Sequence, residues 1–95
     1  MLKDGEIDRL IDAVARNPDI GDVIPGTRGL RKVRWQASGR GKRGGARVIY
    51  YVRDERMPVF LLYVYAKNEQ DDLSAREKKE LADAVQRLVA SYRRP

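Results

Sequence analysis

Gly29-Leu30-Arg31-Lys32-Val33-Arg34-Trp35 and, a few residues on, Arg40-Gly41-Lys42-Arg43-Gly44-Gly45-Ala46-Arg47-Val48-Ile49-Tyr50-Tyr51 interleave cations with β-branched and aromatic residues. Such residues fit the pleated surface of a strand, so this stretch predicts a pair of strands that hold their cations at fixed points on a sheet. Alternation along residues 30–36 sends Val33 and Trp35 to one face and Lys32 and Arg34 to the other. Along residues 46–52, Val48, Tyr50 and Val52 share one side, and Arg47, Ile49 and Tyr51 the other. Residues 38–44, rich in glycine and cations, read as the hairpin loop between them.

A third strand is expected over residues 59–65, after the turn Asp54-Glu55-Arg56-Met57-Pro58. It is apolar on both faces, the pattern of a central or well-covered strand. Short connections predict antiparallel pairing of successive strands. Upstream, Ile7, Leu10, Ile11 and Val14 fall at helical spacing, with Glu6, Asp8, Arg9 and Asp12 on the opposite face, and Asn17-Pro18 ends the helix. Residues 19–27 carry two turn signals and little period, and read as an ordered loop. Downstream, Ser74-Ala75-Arg76-Glu77 is a capping box, and Leu81, Ala84, Val85, Leu88 and Tyr92 continue as an amphipathic helix. The expected fold is α+β: an N-terminal helix, an antiparallel sheet of at least three strands and a C-terminal helix. Both helices are expected on one sheet face, with the other face open and basic.

The 95 residues suit one small domain. From Arg28 through Arg56 there are ten Lys/Arg against two acidic residues, a local +8, which leaves −2 for the remainder of a chain whose net charge is +6. The positive excess therefore belongs to the strand region, as a phosphate-reading surface requires. Cysteine and histidine are both absent. Disulfides, thiolate metal sites, cysteine nucleophiles and the usual neutral-pH general base are thereby excluded, and a reducing cytoplasm suits the chain. The longest apolar run, Val59 to Ala66, is too short to cross a bilayer, and Met1-Leu2-Lys3-Asp4 opens no signal-peptide pattern, so a soluble cytoplasmic protein without a membrane partner is expected.

The blocks Gly26-Thr27-Arg28-Gly29-Leu30-Arg31-Lys32-Val33-Arg34-Trp35, residues 41–51, and Tyr65-Ala66-Lys67-Asn68-Glu69 before Asp72-Leu73-Ser74 resemble the RelE/ParE toxin superfamily, in particular its HigB-type toxins. The resemblance implies a single RelE-like domain over residues 1–95, one that lacks the strand and helix with which such toxins usually begin. It implies a ribosome-dependent mRNA endonuclease that inhibits translation and arrests growth, neutralised by a cognate helix-turn-helix, HigA-type antitoxin. Its partners would be the ribosome and translated mRNA.

By the same resemblance, Lys32, Arg34, Arg47 and Lys67 form the catalytic cluster. RNA carries its own nucleophile, the 2′-hydroxyl, so an enzyme need only move two protons and stabilise the phosphorane, with no metal or cofactor. Arg47 is assigned transition-state charge, Lys67 charge stabilisation or acid work, and Lys32 or Arg34 the roles of base and phosphate clamp. Arg31, Arg40, Lys42 and Arg43 are assigned to RNA backbone, and Tyr51 and Tyr65 to base stacking or proton transfer. Each assignment has a plainer rival: strand cations are usually solvated or ion-paired, Tyr50, Tyr63 and Trp35 suit packing, and Asp71 and Asp72 suit a helix start. Two other functions remain open, a ParE-like gyrase poison and a noncatalytic nucleic-acid-binding or antitoxin-binding remnant.

Overall fold

Helix α1 (Asp4–Arg16) stops where Asn17-Pro18 predicts, and a single 3-10 turn, Pro18–Ile20, follows. Strands β1 (Asp22–Val23), β2 (Arg31–Trp35), β3 (Ala46–Tyr51) and β4 (Phe60–Ala66) come next, and α2 (Ala75–Arg93) completes the order. The structure is a computed structural model that describes residues 4–35, 45–54, 58–66 and 72–93. Each expected strand is present to within a residue of its predicted bounds, and every pairing is antiparallel, in the order β1-β2-β3-β4. The expected α+β architecture holds. Among the described residues no helix is long and apolar enough to cross a membrane.

The two helices cover opposite faces of the sheet, not one face as the sequence suggests. Leu10 and Val14 of α1 pack with Val33, Val48 and Tyr50, whereas Ala82, Val85 and Val89 of α2 pack with Ile49, Tyr65, Leu30 and Ile24. The physical reason lies in β3, whose consecutive residues Val48, Ile49 and Tyr50 are all fully buried; neighbours on a strand point to opposite faces, so both faces must be covered. The same arrangement explains β4. It is apolar on both sides because a helix lies over each, yet it stands at the edge of the sheet and not at its centre. An irregularity between Ile49 and Tyr50 gives β4 one extra residue, so that Leu62 and Tyr63 both pack on the α2 side.

Local details adjust the helix faces. The buried ridge of α1 runs through Glu6, Leu10 and Val14, while Ile11 is exposed. Glu6, expected on the polar face, is thus buried, and its Oε2 has no hydrogen-bond partner among the described residues. On α2 the buried positions are Ala82, Val85 and Val89, and Leu88 and Tyr92 are exposed. The Tyr92 ring meets Phe60 edge-on at 5.7 Å between centroids, fixing the far end of α2 over β4. The capping box forms as its residues predict: Ser74 N–H donates to Glu77 Oε1 at 2.8 Å and Glu77 N–H to Ser74 Oγ at 3.1 Å.

Strand β1 lies in the segment expected as a loop. Two residues cannot show an alternation, and tertiary contacts hold them in place. The Tyr50 hydroxyl accepts from Gly21 N–H at 2.9 Å and donates to Pro18 C=O at 2.8 Å. A Cβ at Gly21 would stand 2.8 Å from Lys32 C=O and 2.9 Å from the Tyr50 ring, so only glycine fits this approach. Arg31 completes the tie through Gly21 C=O at 2.7 Å and Asp19 at 3.0 Å. Tyr50→Phe, which strips both hydroxyl bonds and orphans the Gly21 N–H, should destabilise the fold by about 1–3 kcal/mol, read as a lower denaturant midpoint at unchanged slope.

Candidate functional site

Antiparallel register sets the site. Arg34 on β2 is the Cα partner of Arg47 on β3, and Arg47 is the partner of Tyr65 on β4. Directly opposite residues project from the same face, so Arg34, Arg47 and Tyr65 form one row across three strands. Two positions along, Lys32, Ile49 and Tyr63 form the next row on that face. This is the face that α2 covers. Ile49 and Tyr65 lie under the helix, Arg47 is half-buried and Arg34 is exposed.

Asp72 joins the strand cations to the start of α2. Its Oδ1 accepts from Leu73 N–H at 2.8 Å and from Lys32 Nζ at 3.1 Å, and Lys78 Nζ stands 3.9 Å from Oδ2. The Leu73 N–H bond, and then Lys32, hold the Asp72 carboxyl below the usual carboxylate range. Sequence reasoning read Asp72 only as a helix-start residue. Its partner Lys32 is 40 positions away, a separation at which no spacing rule operates. A folded-state value below the unfolded one means stability that is present above the ordinary carboxyl value and lost as pH falls through the lower folded value. Asp72→Asn should therefore lower the denaturant midpoint at pH 7, and the gap from wild type should close below about pH 4. A gap that stays constant down to pH 2 would remove the carboxylate charge from the account.

Tyr65 is 4 % exposed, so its ring offers no face to a base; its hydroxyl is buried without a hydrogen-bond partner among the described residues. Burial, reinforced by the Asp72 charge and opposed by Arg47, pushes the phenol upward. The hydroxyl therefore stays protonated at neutral pH beside the arginine. Tyr51 is half-buried on the same face and packs against the α2-side core. Tyr50 and Trp35 belong to the core on the α1 side.

Arg31 does not join the cluster. It faces the α1 side, bound to Gly21 and Asp19, and borders a hollow of about 440 Å³ with Pro18, Arg53 and Val59. Lys67, Arg40, Lys42 and Arg43 lie outside the described residues. Lys32, Arg34 and Arg47 are thus brought to one face with Tyr65 and Asp72. A family model described as the RelE toxin of the RelE / RelB toxin-antitoxin system matches residues 3–94. Together with the α+β fold and the cationic strands, that match shows that the chain belongs to the RelE family of toxins, which act in toxin-antitoxin pairs.

Proposed function

We propose that this toxin is a ribosome-dependent mRNA endonuclease of the HigB type, which cuts without a metal ion and is held in check by a helix-turn-helix, HigA-type antitoxin. The observation that carries the reading is the direct cross-strand pairing of Arg34 with Arg47. Like charges placed opposite one another destabilise a sheet, and departures from a local rule concentrate at functional sites. Two guanidinium forks side by side match the oxygens of a phosphorane, each fork able to take two of them. A gyrase poison or a simple RNA-binding remnant has no need of that pairing.

In the reaction, the 2′-hydroxyl oxygen attacks the neighbouring phosphorus and the bond to the 5′-oxygen breaks, leaving a 2′,3′-cyclic phosphate and a 5′-hydroxyl. Arg47 and Arg34 bear the charge that builds on the phosphoryl oxygens. Lys32, released from Asp72, or Arg34 serves as the base for the 2′-hydroxyl proton, and Lys67 returns a proton to the leaving oxygen. Tyr65, buried beside Arg47 in the same row, does not touch RNA. Arg40, Lys42 and Arg43, in the glycine-rich segment between β2 and β3, grip ribosomal RNA backbone.

Primer extension on mRNA translated in vitro tests the reading. Cuts should appear only with ribosomes present and should persist in a chelator that leaves the ribosomes intact. Cuts on naked mRNA alone would remove ribosome dependence, and no cuts under any condition would favour the gyrase-poison or remnant readings.

A further inference from the structure

Residues 24–30 form a loop built with unusual economy. Ile24 N–H donates to Leu30 C=O at 2.8 Å, closing it, and the fully buried Thr27 staples it from within. The Thr27 hydroxyl donates to Ile24 C=O at 2.6 Å and accepts from Leu30 N–H at 3.2 Å. Gly26 and Gly29 take positive φ, as glycine does readily, but so does Arg28, at φ 61°. Arginine in the left-handed region is strained, and strain held in place by surrounding structure is a pointer to function.

The loop faces the first turns of α2 across a cleft of about 330 Å³, bordered by Arg28, Lys78, Lys79 and Asp83. Lys79 Nζ is ion-paired with Asp83 Oδ2 at 3.0 Å, so Arg28 and Lys78 supply the excess positive charge that makes the cleft basic. It is also continuous with the row of strand cations: Lys78 and Lys32 sit on the two oxygens of Asp72, at 3.9 and 3.1 Å. One carboxylate therefore separates the cleft from the cluster assigned to the reacting phosphate.

We infer that this cleft is a second phosphate site, which takes a phosphodiester of the same single-stranded RNA a nucleotide or two from the one being cut. The inference rests on the nuclease reading for the identity of the strand. Arg28 and Lys79 hold the flanking phosphate from the two walls, Lys79 exchanging its Asp83 partner for the phosphate, and Lys78 bridges to the reacting centre. The strained Arg28 backbone fixes the distance between the two sites, so that an RNA bound at both is held in register with Arg34 and Arg47.

The test uses the full chain and 2′-O-methyl RNA oligonucleotides of two to six nucleotides, which lack the nucleophile, with binding read by fluorescence anisotropy over a salt series. For oligonucleotides of four or more nucleotides, Arg28→Gly and Lys79→Gln should each weaken binding about 3- to 10-fold. Each should also reduce the slope of log affinity against log salt by about 0.7, the value for one lost phosphate contact on a single strand. The dinucleotide, with one phosphate, should be unaffected. Arg28→Gly should in addition raise the melting temperature, because it relieves the left-handed strain. Unchanged affinity and slope at every length would overturn the proposal, as would a wild type that binds none of the oligonucleotides. A loss confined to ribosome pelleting would assign the cleft to ribosomal RNA instead and overturn the substrate site. Arg34→Gln/Arg47→Gln serves as the separate arm: if that variant binds like wild type, the nuclease site is misplaced, whatever the cleft variants show.

Discussion

Arg47→Ala should lower single-turnover cleavage of ribosome-bound mRNA by about 10²–10³-fold, the usual loss when one donor to a developing oxyanion is removed. The fold should survive, since Arg47 is only half-buried and its neighbours Ala46 and Val48 carry the β3 packing. Arg47→Lys should recover little. A lysine ammonium is a point charge and cannot present two parallel N–H donors to two phosphoryl oxygens. Equal rates for the lysine variant and wild type would mean that charge alone matters at this position, and cleavage by Arg47→Ala at the wild-type rate would remove it from the site.

Ile49→Ala and Tyr50→Ala should each destabilise the protein strongly, by about 2–5 and 3–5 kcal/mol respectively. These are large fractions of the 5–15 kcal/mol typical of a whole domain. The two residues are consecutive on β3 and both fully buried, Ile49 against α2 and Tyr50 against α1. Urea unfolding of the pair distinguishes the two architectures. A sheet with one open face predicts that one of the two substitutions is nearly neutral, whereas a sheet covered on both sides predicts two large losses.

That contrast also marks how far the fold could be read from residue order. The strands were legible because alternation and turn residues act locally: β2, β3 and β4 fall where Val33/Trp35, Val48/Tyr50 and the apolar run up to Tyr65 place them. The α2 start was legible for the same reason, since the Ser74 and Glu77 side chains satisfy the first turn without help from elsewhere. Which face each helix covers was not, although β3 held the answer in the apolar pair Ile49 and Tyr50; Arg47 and Lys32 alone pattern as an open basic face. The apolar pattern of β4 fits a central or a well-covered strand alike; the second holds, since β4 is covered above and below while it stands at the edge of the sheet. β1 depends on Tyr50 and Gly21, 29 positions apart, and no window of sequence contains both.

The candidate site divides along the same line. Period-two alternation placed Lys32 with Arg34, and Arg47 on a definite face of the next strand. Only the register shows Arg34 opposite Arg47 and Tyr65 beside them. Arg31 shows the hazard of reading charge alone: it sits in the same cationic run, yet alternation turns it to the α1 side, where Asp19 and Gly21 hold it. Asp72 was visible as a residue and invisible as the partner of Lys32.

The central claim is that Arg34 and Arg47 act on an RNA phosphate attacked by the substrate's own 2′-hydroxyl, and one substitution in the substrate tests it most directly. Once the cut position on a ribosome-bound mRNA is mapped, a single 2′-deoxynucleotide placed immediately 5′ of the scissile bond removes the nucleophile and leaves the phosphate in place. The account predicts that cleavage at that bond disappears while the toxin still binds the ribosome, and that the all-ribose message yields a 2′,3′-cyclic phosphate and a 5′-hydroxyl. Continued cleavage at the deoxy position would contradict it, because the nucleophile would then have to come from the protein or from water.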